Sequence, residues 1–219
     1  MKRTFILIFA LVLLTGCHAH MGQVTGSGKR AMQKRDVAAF TSITTQGAFD
    51  VQVLVQQPVS LQIEADDNIL PFISTEVSNG VLRVTTNHNY STSESVAIKI
   101  AVPTLEGLSV SGAGKVDVSG LKNDKFELDS SGAPTIKLAG YSKVFQVDTS
   151  GAAKIDTHKL HTSHAVVDSK GVSSIDLDVA DQLDVKISGP SHVSYEGDPV
   201  VNKTINGPGT VEKKTSAGA

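Results

Sequence analysis

Aspartate residues recur at fixed distances from a repeated glycine in the second half of the chain. Three lie three residues before such a glycine and three lie five residues after one: Asp129, Asp148 and Asp168, and Asp117, Asp156 and Asp176. If the repeats stack, each set forms an outward ladder of carboxylates, whose repulsion a Ca²⁺ ion would relieve because this hard cation prefers oxygen ligands. The Gly-Gly-x-Gly-x-Asp pattern of calcium-loaded β-rolls is absent, however, and lysines lie in neighbouring repeats. We expect a solvated, self-neutralising face without a cofactor, and Ca²⁺ remains the alternative.

Two other groups of side chains have the right types for chemistry but not the right pattern. His158, His161 and His164 place three imidazoles within seven residues. They would not share a face on a strand and would have no preset geometry on a loop, so we predict a solvated loop and no metal site. A serine precedes four of the repeated glycines, without a histidine and an acid in register. We expect these hydroxyls to satisfy backbone groups at corners and not to act as nucleophiles.

Cys17 is the single cysteine of the 219-residue chain. It follows a basic N-terminus, an unbroken apolar run over residues 5–14 and the residues Leu-Thr-Gly. Such a run is too short to span the roughly 30 Å hydrocarbon core of a bilayer, so residues 1–16 are predicted to be a secretory signal. The tetrapeptide ending at Cys17 resembles the lipobox of bacterial lipoproteins, which implies lipidation of Cys17 and a membrane anchor. The next residue, His18, is not the aspartate that retains such proteins at the inner membrane, which favours the outer membrane.

Glycines spaced 18 to 20 residues apart organise the rest of the sequence. Each is followed four residues later by valine or isoleucine, and the set comprises Gly112, Gly132, Gly151, Gly171, Gly189 and Gly207, with a seventh copy upstream at Gly47. A repeat this short cannot bury its own apolar face, so neighbouring copies must stack and share one core. We interpret the glycines as structural corners that permit an unusual backbone angle or a close approach between coils.

Within each repeat, apolar residues alternate with polar ones on both sides of the glycine, which is the signature of short strands. The predicted fold is therefore all-β, a parallel β-helix of 18-to-20-residue coils, and parallel crossovers favour the right hand. The register is lost over residues 54–105, which we expect to form an inserted or capping sheet. Residues 17–36 are expected to be a flexible tether, residues 37–214 the solenoid domain and residues 215–219 a disordered tail.

The charge balance argues against nucleic acid as a partner. The chain carries 20 basic and 22 acidic residues, and removal of Lys2 and Arg3 with the signal leaves 18 against 22, a net charge of −4. Binding to a phosphate backbone requires clustered lysine and arginine, which such a chain does not supply.

Three stretches resemble a known family: residues 49–53 (Phe-Asp-Val-Gln-Val), residues 81–84 (Val-Leu-Arg-Val), and residues 108–114 with the repeated Ser-Gly-Ala corners. They are similar to the putative autotransporter adhesin head GIN domain, and the resemblance covers roughly residues 38–205. It implies an exported β-helical protein, often a lipoprotein, and brings no catalytic residues. Nothing beyond Val211 would form the membrane-spanning barrel of a true autotransporter.

The function predicted from these features is a non-catalytic, adhesin-like or structural binding module. It is expected to be anchored to the membrane through Cys17 and to contact a glycan, peptidoglycan or an envelope protein. A polysaccharide-active β-helix enzyme is the first alternative, disfavoured because Arg83 is the one arginine expected within the folded region and aromatic residues are few. An envelope scaffold that self-associates through its solenoid ends is the second.

Overall fold

The protein is a parallel β-solenoid with almost no helix, as its sequence predicts. The structure is a computed structural model and describes residues 23–214. Its elements are β1 (Val24–Thr25), β2 (Arg30–Arg35), β3 (Ser42–Gln46), β4 (Phe49–Val55), β5 (Ser60–Asp66), a 3₁₀ turn (Leu70–Phe72), β6 (Ile73–Ser78), β7 (Val81–Thr86), β8 (Tyr90–Ser91), β9 (Val96–Val102), β10 (Gly107–Gly112), β11 (Lys115–Gly132), β12 (Thr135–Gly151), β13 (Lys154–Ser169), β14 (Ser174–Ile187), β15 (His192–Glu196), β16 (Val200–Ile205) and β17 (Thr210–Lys213). The right hand of the coil stays a prediction.

Two faces of the solenoid meet at the glycine corners. The pre-corner face contains β7, β3, β10, the second halves of β11 to β14, and β16; the post-corner face contains β9, β4, the first halves of β11 to β14, β15 and β17. Equivalent residues of successive coils pair directly: Leu128 is the partner of Val147, and Val147 is the partner of Val167. Each side chain therefore belongs to a column that runs along the solenoid.

The core consists of aliphatic columns produced by this register. The branched residue four positions after a corner glycine is inaccessible in the central coils, as Ile136, Ile155 and Ile175 show. Burial of each such side chain stabilises the fold by about 1.5–3 kcal/mol. Phe126 and Phe145 stack in adjacent coils with ring centroids 6.2 Å apart. Because each coil is covered by the next, no single repeat holds a complete core.

Residues 54–105 divide between the stack and its cap and do not form one inserted element. β7 pairs in parallel with β3, and β9 pairs in parallel with β4, so these two strands add a further coil. β6 pairs antiparallel with β7 and ends the pre-corner face, and β5 pairs antiparallel with β9 on the post-corner face. The predicted turn at Asn79 and Gly80 joins β6 to β7. The repeat is unrecognisable here because the connection from β7 to β9 has no glycine at the corner position.

From Val24 onward, the chain forms paired strands where the sequence predicts a flexible tether. β2 pairs antiparallel with β5 along its whole length, and β1 pairs with β8. Residues 24–29, named here the strap, are held between these strands, where the Gly26 N–H donates to the Ser91 carbonyl at 2.7 Å. A sequence window cannot show this, because the strand that pairs with β2 lies about thirty residues away. Cys17, the predicted signal and the predicted tail lie outside the described residues.

Two arginines of the supposed tether are structural. Arg30 Nη1 lies 3.7 Å from Oδ1 of the buried Asp66. Arg35 donates hydrogen bonds to the Ile73 carbonyl at 2.6 Å and to Thr75 Oγ1 at 3.0 Å, and so joins the end strands of both faces. Burial lowers the pKa of Arg35. The expectation of one arginine in the folded region is therefore wrong, and the argument built on it against an enzyme no longer holds.

Candidate functional site

The pre-corner face carries one column of the predicted aspartates. Asp129 is the register partner of Asp148, and Asp148 is the partner of Asp168, so three carboxylates lie in adjacent coils. Lys170 and Lys186 place their Nζ atoms 3.5 and 3.7 Å from Asp168 Oδ2. The column is therefore partly neutralised at one end, and its other end, at Asp129, has no lysine within ion-pair distance among the residues that the structure describes.

Asp129 is exposed to solvent at one side, and its pKa is raised by partial burial and by the charges of Asp148 and Glu127. The same end of the column lines a shallow depression of about 190 Å³, together with serine and threonine hydroxyls of three coils and Lys170. This depression is polar and open. It holds the two carboxylates next to each other, so ionising both costs electrostatic free energy.

The post-corner face carries the other column, and here lysine interrupts the aspartates. Asp117 pairs with Lys137, Lys137 with Asp156, and Asp156 with Asp176. Asp176 accepts hydrogen bonds from Ser194 and from Lys214 Nζ, which lies at 2.9 Å. Burial alone would raise the pKa of Asp176, but these contacts outweigh it and the pKa is lowered.

The three histidines lie on β13 and not on a solvated loop, so that expectation is wrong. Each is paired with a carboxylate: His158 with Asp156, His161 with Asp178, and His164 with Asp184, the last at 2.7 Å. They do not converge on one point. Within residues 23–214, no group of three or more histidine, cysteine, aspartate or glutamate side chains is placed to hold a metal ion.

Asp184 has three side-chain hydrogen-bond donors around it. Asn202 Nδ2 donates to Oδ1 at 2.8 Å, and His164 Nε2 and Gln182 Nε2 each lie 2.7 Å from Oδ2. These contacts, with that of Asn202 the largest, lower the pKa of Asp184.

The serines at the corners stack as the repeat implies, with Ser111 beside Ser131 and Ser131 beside Ser150. The described histidines make no hydrogen bond to them. The histidine that does contact a hydroxyl is His192, whose Nδ1 lies 2.6 Å from Thr210 Oγ1. No carboxylate hydrogen bonds to His192 in the described part of the chain, so a nucleophile, base and acid are not assembled there.

The corner glycines form their own column, in which backbones of adjacent coils touch. A Cβ atom added to Gly132 would lie 2.5 Å from the Gly112 carbonyl oxygen, and one added to Gly112 would lie 2.5 Å from that of Gly47. Glycines at the opposite corner, Gly120 and Gly140, also have positive φ. The sequence pattern missed these two because the turn they form is not repeated in every coil.

The post-corner column ends in a pocket that the sequence does not show. The strands shift register there. On β11 and β12, Val118 pairs with Leu138 but the next pair is Leu121 with Gly140. β13 shifts in the same way against β12, between Lys137 and Ala139. Each shift places two residues of one strand opposite one of its neighbour, which bends the strand and re-aims side chains. The chain opens here into a pocket of about 270 Å³, named here the bulge pocket.

The bulge pocket has an apolar lining with polar and charged groups at its border. Its apolar residues are Ala139, which is half-buried, and Val118 and Leu138, which are buried in the core. Its polar residues are Gln52, Asp117, Ser119, Lys137, Asp156, His158 and Lys159. His158 and Asp156 bond to each other. Burial has the largest influence on the pKa of Asp156 and would raise it. The contacts with His158 together outweigh burial, so the pKa of Asp156 is lowered.

The sequence that forms these strands and columns matches a family model. The model of the putative auto-transporter adhesin, head GIN domain, matches residues 39–199. The chain belongs to this family. The match covers the solenoid from just before β3 to just before β16 and includes both aspartate columns and the bulge pocket.

Solved structures of proteins from Bacteroides and Parabacteroides species share this fold. A putative adhesin from Bacteroides fragilis is 21% identical, with a TM-score of 0.72 over 87% of this chain and 100% of that one. A putative lipid binding protein from Parabacteroides distasonis is 18% identical, with a TM-score of 0.57 over 89% and 100%. A putative adhesin from Parabacteroides merdae is 18% identical, with a TM-score of 0.53 over 88% and 99%. No curated protein matches the sequence.

At these identities the likeness establishes the fold and leaves the ligand of this chain open. Among the described elements, no helix has the length and hydropathy needed to cross a membrane.

Proposed function

We propose that this protein is an exported, non-catalytic binding module of the bacterial cell envelope, held to the membrane by a lipid at Cys17. Membership of an adhesin family supports the general class. The observation that carries the proposal is the pair of polar columns, one on each face. The pre-corner column presents aspartate in three adjacent coils, and the post-corner column presents aspartate and lysine in successive coils. A rigid surface with a repeated pattern suits a repetitive partner such as a glycan or peptidoglycan, with an envelope protein as a further candidate.

The strap supports anchoring near the N-terminal end of the solenoid. Gln23 already contacts the Tyr90 carbonyl, at 3.4 Å, and Asp67 N–H donates to the Lys29 carbonyl at 2.9 Å. Five residues separate Cys17 from Gln23, and even a fully extended segment of this length reaches only about 20 Å. A lipid on Cys17 would thus keep the cap close to the membrane, and the far coils would point away from it. The residue after Cys17 favours the outer membrane.

Binding fits the described polar groups better than catalysis. The three histidine–carboxylate pairs of β13 lack a hydroxyl or thiol partner in the structure, and the corner serines lack a base. One observation favours the polysaccharide-active alternative: Asp129, with its raised pKa, stands beside Asp148 in the depression on the pre-corner face. Glycoside hydrolases use a protonated and an ionised carboxyl group in this way. Asp129 is solvent-exposed, however, and the depression is shallow.

The self-associating scaffold is opposed by the C-terminal end. Within the described part of the chain, β16 and β17 each leave one edge unpaired. Lys203 occupies the position beside Val185 where the other coils have an apolar residue. Lys203 is exposed, and a charged side chain on an edge strand is a common protection against pairing with another chain.

Anchoring is tested by comparing the wild type with Cys17→Ser in cells. We expect mass spectrometry to find a lipid on the wild type only, and the variant to leave the membrane fraction. Whole-cell protease treatment then separates surface display from the periplasmic side. A Cys17→Ser protein that stays in the membrane fraction would refute the anchor.

Binding is tested with the Cys17→Ser chain on immobilised polysaccharides and peptidoglycan. Saturable binding without release of reducing ends is the expected result. Release of reducing ends that Asp129→Asn abolishes would establish the enzyme instead.

A further inference from the structure

We propose that the bulge pocket binds one sugar unit of a neutral oligosaccharide, an inference that rests on the proposed binding function and names its ligand class. The pocket arises where two successive strand pairs of the post-corner face shift register. A further register shift follows between β13 and β14, so bulges mark this end of the post-corner face in three successive strand pairs. Bulges frequently lie beside functional sites.

The size of the pocket limits what can enter it. At about 270 Å³ it lies just below the roughly 300–1,000 Å³ of pockets that enclose drug-sized ligands. It therefore suits a single ring of a longer chain and not a whole oligosaccharide or a folded peptide. The ring would rest against Ala139, which is half-buried, because the side chains of Val118 and Leu138 belong to the core. A pyranose offers a matching surface, since its C–H groups form a weakly polar face while its hydroxyls point outward.

The border supplies both kinds of hydrogen-bonding partner that hydroxyl groups need. Asp117 accepts hydrogen bonds, Lys137 and Lys159 donate them, and Gln52 and Ser119 do both. No ion pair or side-chain hydrogen bond joins any of these five to another residue of the described chain, so they are free to bind a ligand. Hydrogen bonds from hydroxyls to an ionised partner are stronger than those between neutral groups.

The balance of charge indicates a neutral ligand. Two carboxylates, Asp117 and Asp156, face two ammonium groups, Lys137 and Lys159, and Asp156 is already bonded to His158. Lys137 lies between Asp117 and Asp156 in the column, with about 4.8 Å between neighbouring strands. An anionic ligand would lie beside the two carboxylates, and a cationic ligand would lie beside the two ammonium groups. Either ligand would therefore be repelled by two groups of its own charge. A neutral polyol satisfies both kinds of group.

Saturation-transfer NMR with the Cys17→Ser chain tests this proposal, using maltotriose, cellotriose and chitotriose as probes and trigalacturonate as the charged comparison. We expect at least one neutral trisaccharide to show transfer and trigalacturonate to show less. Asp117→Ala should weaken the binding at least about tenfold, the loss expected for a charge-assisted hydrogen bond. Ser119→Phe, which places a ring at the border, should abolish it.

Asp148→Ala is the matched control, because it removes an exposed carboxylate from the other face. It should leave trisaccharide binding unchanged, and all variants should keep the melting temperature and circular dichroism of the parent. The proposal is overturned if no neutral trisaccharide shows transfer, if trigalacturonate is preferred, or if Asp117→Ala and Ser119→Phe bind as well as Asp148→Ala. If purified polysaccharide or peptidoglycan still binds in those cases, the sugar pocket is refuted while the binding function stands.

Discussion

The close contact between corner glycines predicts a large difference between two glycine-to-alanine substitutions. Gly132 and Gly80 have similar backbone angles, with φ of +89° and +75°. A Cβ at Gly80 would meet nothing within 4 Å, whereas one at Gly132 would lie 2.5 Å from the Gly112 carbonyl oxygen and 2.9 Å from its nitrogen. The pair therefore separates the cost of the backbone angle from the cost of pushing two coils apart.

The angle alone costs an L-residue roughly 1–2 kcal/mol, and both substitutions share this cost. The smaller flexibility of alanine in the unfolded chain offsets it by about 0.4–1 kcal/mol, again in both. The clash at Gly132 involves backbone atoms that cannot rotate away, and forcing extra volume into packed structure costs typically about 1–3 kcal/mol. We expect Gly132→Ala to lower the free energy of unfolding by about 2–4 kcal/mol, and Gly80→Ala by about 1 kcal/mol or less.

Urea unfolding of the Cys17→Ser chain measures this difference. Circular dichroism and tyrosine fluorescence should be followed together, because stacked repeats can unfold in more than one step and the comparison requires coincident transitions. Equal midpoints for the two variants would refute the reasoning, since they would mean that the coils separate at Gly132 without cost.

Four further substitutions have expected outcomes. Asp129→Asn should raise the melting temperature at pH 7 and have no effect below about pH 4, because a carboxyl group with a raised pKa destabilises the fold once it is ionised. Asp184→Asn should lower the melting temperature at pH 7, because the stability linked to a lowered pKa is present at neutral pH and is lost only as the pH falls. Arg35→Ala should cost about 1–3 kcal/mol by leaving buried carbonyls of the cap without a donor, and hydrogen exchange should show faster exchange in β2 and β6 than in β13. Lys203→Val should make the mass in light scattering depend on concentration while the parent stays monomeric, and a variant that stays monomeric would mean that Lys203 does not protect the edge.

The sequence determined the repeating part of the protein. A glycine every 18 to 20 residues, with alternating apolar residues on both sides, is sufficient to predict coils, strands and buried columns, because each coil repeats the contacts of its neighbour. The placement of aspartates in columns follows from the same register. Local patterns are reliable here because each residue pairs with its equivalent in the next coil, so the sequence period directly gives the contact map.

Only the tertiary structure decided the parts that break the period. The strap and β2 look like a tether, yet pairing with β5 and the contacts of Arg30 and Arg35 fix them to the cap. The bulge pocket likewise depends on unequal coil lengths, and a shift of one residue between strands leaves no mark in the composition of either. Register is fixed by the packing of whole coils against one another, so its exceptions, including the site proposed here, exist only once the chain is folded.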